Sequence, residues 1–165
     1  MSHRRPYIEI IRRKVTRQNL VIDRVGGVTI QGAGTAGFIE AYPVVASASG
    51  SLMALIKNVR VAAGNMRLGI YADNGNTPVG GALLAQSAST AVVGGFNILI
   101  VTGVSIVTGT KYWVAYQLSS NSCISDYING GAQFYAAYAY GVFPETFPAA
   151  TLTPYTKNVG IIYQP

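Results

Sequence analysis

The sequence predicts an all-β protein: an antiparallel β-sandwich of about eight short strands, preceded by an extended N-terminal arm. Valine, isoleucine, threonine and tyrosine make up 55 of the 165 residues, and these side chains favour pleated, half-buried surfaces. Glutamate and lysine, which are common on exposed helices, total only seven. The 19 glycines and seven prolines predict turns and bulges between the apolar segments.

Residues 1–24 form the predicted arm and carry most of the positive charge. They hold seven of the twelve lysines and arginines against two acidic residues, a net charge of +5. Residues 25–165 have a net charge of only +1. The basic character is therefore a local feature of the arm and not a property of the whole surface.

The arm also contains apolar residues that favour burial against protein. Alternation through Ile8, Ile10 and Arg12 fits a strand added to the sheet of another chain. The spacing of Ile8, Ile11 and Val15 fits a short amphipathic helix instead. Either structure predicts a docking element, whose candidate contact residues are Arg4, Arg5, Tyr7, Ile8, Ile10, Ile11, Arg12, Arg13, Lys14 and Arg17.

A Gly- and Ala-rich linker is predicted over residues 25–37, and the sandwich over residues 38–165. Apolar and polar residues alternate with period 2 in the sandwich. In 65–73, Met66, Leu68 and Ile70 share one face and Tyr71 lies on the other. The predicted strands fall within 38–52, 53–63, 65–73, 95–101, 103–110, 111–118, 132–141 and 158–164.

Three motifs in fixed order carry a family resemblance: "RLGIYADNGNTPVGGALLAQS", "GFNILIVTGVSIVTGTKYWVAY" and "YAYGVFPETFPA". Over residues 36–165 the chain resembles the jelly-roll β-sandwich module, similar to carbohydrate-binding modules, that occurs in microbial surface proteins and in virus tail and decoration proteins. The resemblance implies a jelly-roll fold and an association with virions. A fold of this kind supports many functions, so the resemblance alone does not choose between them.

The residue inventory predicts a non-enzymatic protein without a cofactor or metal. His3 is the only histidine and lies in the arm, and the six carboxylates are scattered along the chain. Cys123 is the only cysteine, which excludes an internal disulfide and predicts a small buried side chain. The "DNGN" segment at 73–76 is interpreted as a turn and not as a calcium loop, since it has too few oxygen ligands.

Aromatic residues supply the remaining candidates for binding. A coplanar aromatic surface would suit a glycan, whereas packing in a core or against another subunit is the favoured interpretation. The candidate glycan or subunit contacts are Tyr71, Trp113, Tyr127, Tyr135, Tyr138 and Tyr140.

Together these features predict a virion structural protein: a capsid decoration, minor capsid or tail-associated protein that assembles with other virion proteins and with copies of itself. The alternatives are a carbohydrate-binding or adhesion module and a capsid protein whose arm contacts nucleic acid. No signal peptide or membrane span is recognised in the sequence. The expected location is therefore the virion, after synthesis in the host cytoplasm, with no membrane partner.

Overall fold

The computed structural model describes residues 19–27, 30–33 and 35–165, which form two antiparallel sheets packed as a β-sandwich. The candidate arm contacts, from Arg4 to Arg17, lie outside the described residues. The strands are β1 (Val21–Val25), β2 (Ile30–Ala33), β3 (Phe38–Val45), β4 (Gly50–Val59), β5 (Asn65–Ala72), β6 (Leu83–Gln86), β7 (Thr90–Ala91), β8 (Gly95–Ile100), β9 (Ser105–Ile106), β10 (Lys111–Leu118), β11 (Ile124–Ala137), β12 (Thr151–Lys157) and β13 (Val159–Gln164).

The small sheet has five strands in the order β1-β13-β4-β8, with β9 paired to β4. The large sheet has eight strands in the order β12-β11-β3-β10-β5-β6, with β2 paired to β11 and β7 to β5. From β3 to β10 the longer strands alternate between the sheets, with β3, β5 and β10 in the large sheet and β4 and β8 in the small one, whereas β10, β11 and β12 all belong to the large sheet. The predicted all-β antiparallel sandwich is thus confirmed.

The main core lies between the sheets and follows the period-2 pattern of the strands. On β5, Met66, Leu68 and Ile70 point into this core, as the alternation predicts. On β4, Leu55 points into the core, and its neighbour Ile56 belongs to a small cluster on the opposite face. Cys123 is also buried here, in agreement with its predicted position.

A second core covers the outer face of the large sheet. Tyr71 and Trp113 point outward from β5 and β10, opposite to the main core, and are then covered by Phe143 and Phe147 from the segment between β11 and β12. The ring of Phe147 meets that of Tyr71 edge to face at 5.1 Å between centroids. Both faces of the large sheet are therefore buried in this region.

Strands also form in the segments that the sequence assigns to the arm and the linker. β1, at the end of the predicted arm, pairs with β13 from Val21–Tyr163 to Val25–Val159. Within the predicted linker, β2 pairs with the first part of β11. These pairings join residues 21–25 to the small sheet and residues 30–33 to the large sheet.

Candidate functional site

A pocket of about 390 Å³ opens at one end of the sandwich. It lies on the core side of the large sheet, since its floor residue Glu40 is hydrogen-bonded to the core residues Tyr42 and Tyr116. Strands β2, β3, β11 and β12 contribute its walls. The lining residues are Gly32, Thr35, Phe38, Glu40, Tyr127, Gln133, Tyr135, Thr153, Tyr155 and Lys157.

A buried ion pair forms the floor of the pocket. The Lys157 ammonium lies 3.0 Å from Glu40 Oε2, and both side chains are more than nine-tenths buried. Three further donors reach the same carboxylate oxygen: Tyr116 at 2.5 Å, Tyr42 at 2.7 Å and Gln133 at 2.8 Å. This network lies between the apolar core and the pocket. The rings of Tyr42 and Tyr116 pack in the core, and their hydroxyl groups reach Glu40 at the floor of the pocket.

The network keeps Glu40 ionised. Burial raises the pKa of its carboxyl group, but the charge of Lys157 and the hydrogen bonds from Tyr116 and Tyr42 outweigh burial, so that the net shift is downward. Burial raises the pKa of the Tyr116 hydroxyl well above its ordinary value, and the neighbouring carboxylate adds to this effect. Tyr116 is therefore a hydrogen-bond donor at the carboxylate throughout the physiological pH range.

Lys57 is a second buried lysine beside this network. Its side chain is fully buried, and the ammonium lies 4.3 Å from the centroid of the Tyr116 ring. Within the described part of the chain, its Nζ atom has no hydrogen-bond partner. Burial, followed by repulsion from Lys157, lowers the pKa of Lys57 to about 7.

Replacement of Lys57 by methionine is expected to stabilise the protein below pH 7. The folded state must then bury an ammonium without a hydrogen bond, and an apolar side chain of similar size removes a cost of about 1–4 kcal/mol. Between the folded pKa of about 7 and the ordinary value near 10.5, the unfolded state binds more protons, so the stability of the native protein rises with pH. Urea unfolding at several pH values should show this slope, and Lys57→Met should remove it. If the Lys57→Met protein is less stable than the wild type below pH 7, Lys57 is not a destabilising buried charge.

Tyrosine rings form the walls of the pocket. Tyr127 and Tyr155, from β11 and β12, meet edge to face at 5.1 Å between centroids. On the other side, Phe38 and Tyr135 lie 6.0 Å apart. Gly32 fits closely against the Tyr127 ring, since a Cβ atom there would lie only 2.8 Å from it.

A bulge in β11 shapes the pocket. The pairing of β11 with β12 shifts register between Asn129 and Gln133. The intervening Gly130 and Gly131 have φ values of 82° and 112°, which side chains other than glycine rarely adopt. Tyr127 and Gln133, which lie on either side of this bulge, both line the pocket.

The predicted aromatic candidates fall into two groups. Tyr127 and Tyr135 line the pocket. Tyr71 and Trp113 are at most 1% exposed and pack in the second core. Tyr138 packs against the second core, and Tyr140 is hydrogen-bonded to Ser89 at 2.5 Å. Neither of these two tyrosines lines the pocket.

A second candidate site is the outer face of the small sheet. Strand register places Ile22, Ile162, Ala54 and Ile100 in one row across β1, β13, β4 and β8. Ile56 and Ile98 are paired in the next row. The Arg24 side chain crosses this face, and its guanidinium lies 5.0 Å from the centroid of the Phe96 ring. We call these residues, Ile22, Arg24, Ala54, Ile56, Phe96, Ile98, Ile100 and Ile162, the outer apolar face.

Four large side chains of the outer apolar face are exposed to solvent. The exposed fraction is 46% for Phe96, 53% for Ile22, 55% for Ile98 and 73% for Ile100. Single exposed apolar residues are ordinary, but a continuous apolar patch on a sheet is typical of an interaction surface. Phe96, Ile98 and Ile100 lie on one strand, β8, and Ile22 is joined to them across the sheet through the buried Ile162 and Ala54.

Most carboxylates outside the pocket have structural partners. Asp23 accepts hydrogen bonds from Ser47 and Tyr163, and Asp126 forms an ion pair with Arg60 at 2.8 Å. Asp73 accepts hydrogen bonds from Trp113 Nε1 at 2.7 Å and from the backbone of Asn76. Because Asn76 adopts a positive φ of 74°, the geometry of 73–76 supports the turn interpretation.

In the part of the chain that the structure describes, no group of three or more potential metal ligands comes together. Within the same residues, no helix is long and apolar enough to cross a membrane. A search of protein-family models and of curated proteins found no match to the chain.

Sequence reasoning missed the floor of the pocket. Glu40, Lys57 and Lys157 each stand alone as a charge within an apolar strand segment, which is the signal that could have found them. A charge in a strand that is buried on both faces needs a partner. The identity of that partner depends on strand pairing, because Glu40 and Lys157 are 117 residues apart.

Proposed function

We propose that this protein is a non-enzymatic virion structural protein, a capsid decoration, minor capsid or tail-associated protein, whose N-terminal arm docks on neighbouring subunits. The observation that carries the proposal is the outer apolar face of the small sheet. The motif order described above supports the link to virions and a jelly-roll form of the sandwich.

The occupant that we assign to the outer apolar face is the segment Tyr7–Ile11 of a neighbouring copy. This segment supplies the apolar side chains that such a face would bury. Residues 1–18 directly precede Asn19 and β1, and β1 is the edge strand of the same sheet. Fully extended, the eight residues from Ile11 to Asn19 span about 26–29 Å, which sets the distance at which Ile11 can reach a neighbouring copy.

A contact between copies fits the connecting sequence better than a return of the arm onto its own subunit. Residues 12–18 contain neither glycine nor proline, the residues that most readily form tight reversals. The basic residues Arg12, Arg13, Lys14 and Arg17 then lie between the two subunits, where they can pair with acidic groups of a partner. Each copy gives and receives an arm in this arrangement, which is compatible with a closed ring of subunits.

Light scattering of the full-length protein tests this proposal. The wild-type chain should have the mass of an oligomer. Ile8→Asp with Ile11→Asp should reduce the mass to that of a monomer, and so should Ile98→Thr with Ile100→Thr. Val142→Thr is the matched control, because Val142 is 65% exposed but lies outside the outer apolar face. A wild-type monomer, or an oligomer that survives both double substitutions, would overturn the proposal.

The absorbance ratio at 260 and 280 nm, measured on the same samples, distinguishes an arm that binds nucleic acid from an arm that binds a neighbouring subunit. A nucleic-acid arm predicts copurifying nucleic acid that is lost at high salt and after Arg12→Gln with Arg13→Gln. Assembly through apolar contacts predicts a protein-like ratio and a mass that changes little with ionic strength. These two results assign the arm to protein or to nucleic acid.

A further inference from the structure

The small sheet ends at β8, and the outer side of this strand is open to a further strand. β8 pairs with β4 on one side and is the last strand in its sheet. Val101, directly after β8, donates its backbone N–H to the Met53 carbonyl of β4 at 3.2 Å. In an antiparallel pair, the backbone groups of successive residues point alternately toward the partner strand and away from it. The strand register then gives the residues of β8 whose backbone groups point away from β4: Phe96, Ile98 and Ile100.

These three residues form the free edge of β8. Within the part of the chain that the structure describes, their backbone groups form no hydrogen bond outside the pairing with β4. Their side chains belong to the outer apolar face, where Ile100 is 73% exposed. The same residues therefore present unpaired backbone groups and apolar side chains, which is the combination that an added strand binds.

The free edge of β8 lacks the features that protect other edge strands of the sandwich. Natural sheets protect their edges with charges, prolines or covering segments. β1 carries Asp23 and Arg24, and β12 contains Pro154. At β6, the backbone N–H of Leu83 donates to the Glu145 carbonyl, so another segment covers that edge. β8 contains neither a charged residue nor a proline, and its edge is therefore suited to a partner strand.

From these observations we propose that residues 8–11 of a neighbouring copy add to β8 as an antiparallel strand, with Ile10 opposite Ile98 and Ile8 opposite Ile100. The inference rests on the proposed function, which brings the arm to the outer apolar face, and it assigns the backbone groups that hold the arm there. Because side chains alternate along a strand, Ile8 and Ile10 both lie on the outer apolar face. The cross-strand isoleucine pairs then bury apolar surface on both copies.

The arm sequence favours this register over its neighbours. A shift by two residues in one direction places Pro6 opposite Ile100, and proline has no N–H to donate. A shift in the other direction places the charged Arg12 opposite Ile98. Pairing through the odd-numbered residues would direct Glu9 to the apolar face. The proposed register is the one that places two arm isoleucines opposite two isoleucines of β8.

Residue-resolved amide hydrogen exchange of the full-length protein, measured by NMR, tests the inference. The reference is the monomer expected for Ile8→Asp with Ile11→Asp. In the assembled wild type, the backbone N–H groups of Ile98 and Ile100 should exchange about tenfold or more slowly than in this monomer, because the added strand removes them from water. The N–H groups of Asn97 and Leu99 are the internal control. They face β4 and should be protected in both states.

Two proline substitutions in the arm form a matched pair. Ile10→Pro removes an N–H group that the proposed register directs at the Ile98 carbonyl, so the mass measured by light scattering should fall toward that of a monomer. Glu9→Pro removes an N–H group that points to solvent, and an edge strand tolerates proline at such a position. Its mass should therefore equal that of the wild type. Equal losses of mass in the two variants would contradict strand addition.

The other outcomes separate this inference from the proposed function. An oligomer in which Ile98 and Ile100 exchange as fast as in the monomer would exclude strand addition and leave the docking of the arm in place. Protection that persists after Ile8→Asp with Ile11→Asp would assign the free edge to another occupant, such as β8 of a second copy, and would overturn the inference. A wild-type monomer would overturn the proposed function together with the inference.

Discussion

Glu40→Ala is expected to reduce the free energy of unfolding by about 3–5 kcal/mol, because the substitution leaves Lys157 charged and unpaired in the protein interior. The same change removes the acceptor of the Tyr42, Tyr116 and Gln133 hydrogen bonds. Since proteins of this size are stable by only about 5–15 kcal/mol, this variant is close to the limit of folding. Urea unfolding at neutral pH measures the effect.

A double-mutant cycle isolates the ion pair within this network. Glu40→Leu combined with Lys157→Met should be less destabilising than the sum of the two single substitutions, because it leaves no charge without a partner. The depressed pKa of Glu40 also predicts the pH dependence. The stabilisation is present above the unfolded pKa and is lost as the pH falls through the folded pKa. If the unfolding free energies lost in the two single variants add up to the loss in the double variant, the ion pair has no coupling energy. An unchanged stability at acid pH in Glu40→Leu would also contradict this role of Glu40.

Trp113→Ala is the second change with a large expected effect, about 3–5 kcal/mol of lost stability. Trp113 is 1% exposed, and its indole meets the Phe134 ring edge to face at 5.2 Å between centroids. The alanine variant leaves a cavity in the second core and removes the hydrogen bond from Nε1 to Asp73. Chemical denaturation of both proteins provides the measurement.

Trp113→Phe is the control that separates packing from hydrogen bonding. It keeps most of the aromatic volume but removes the donor to Asp73, so its cost should be lower than that of Trp113→Ala, about 1.5–3 kcal/mol, the range for a hydrogen bond to a charged group. If Trp113 instead served a ligand on the surface, both variants would unfold like the wild type and lose binding. That outcome would contradict the buried position of this residue.

Much of the fold could be predicted because strand periodicity determines which residues share a face. Tyr112, Val114 and Tyr116 point to the main core, and Trp113 and Ala115 point to the second one, as the alternation in 111–118 indicates. Periodicity does not determine which face is inside. On β8, the more apolar face of the strand, which carries Phe96, Ile98 and Ile100, points to solvent. Asn97 is buried because its amide hydrogen-bonds to the turn backbone at Val93 and Gly95.

The pocket could be predicted only in part. Tyr127 and Tyr135 were identified from their clustering in the sequence, since they lie on one strand. Glu40, Lys157 and Tyr155 come from β3 and β12, and they meet because β11 pairs with both strands. The positions of these three residues around the pocket depend on the register shift at Gly130 and Gly131. Composition and alternation do not reveal this shift.

Under the proposed function, the charge concentrated in residues 1–24 reflects a division of roles between the arm and the sandwich. Apolar segments and strand pairing stabilise the sandwich, which also contains the ion pairs Arg60–Asp126 and Lys157–Glu40. In the proposed function, the arm binds a surface outside its own fold, and basic side chains between apolar ones serve that purpose. We propose that Tyr7–Ile11 docks on the outer apolar face of a neighbouring copy.

Disulfide cross-linking between two differently tagged copies tests this claim most directly. One copy carries Ile10→Cys and the other Ile98→Cys, with Val142→Cys as the control position, and the native Cys123 is buried and does not compete. The account predicts that mild oxidation joins the two tags covalently through residues 10 and 98, and that the Val142→Cys control stays uncoupled. Failure of residues 10 and 98 to couple the two tags, or equal coupling at the control position, would contradict it.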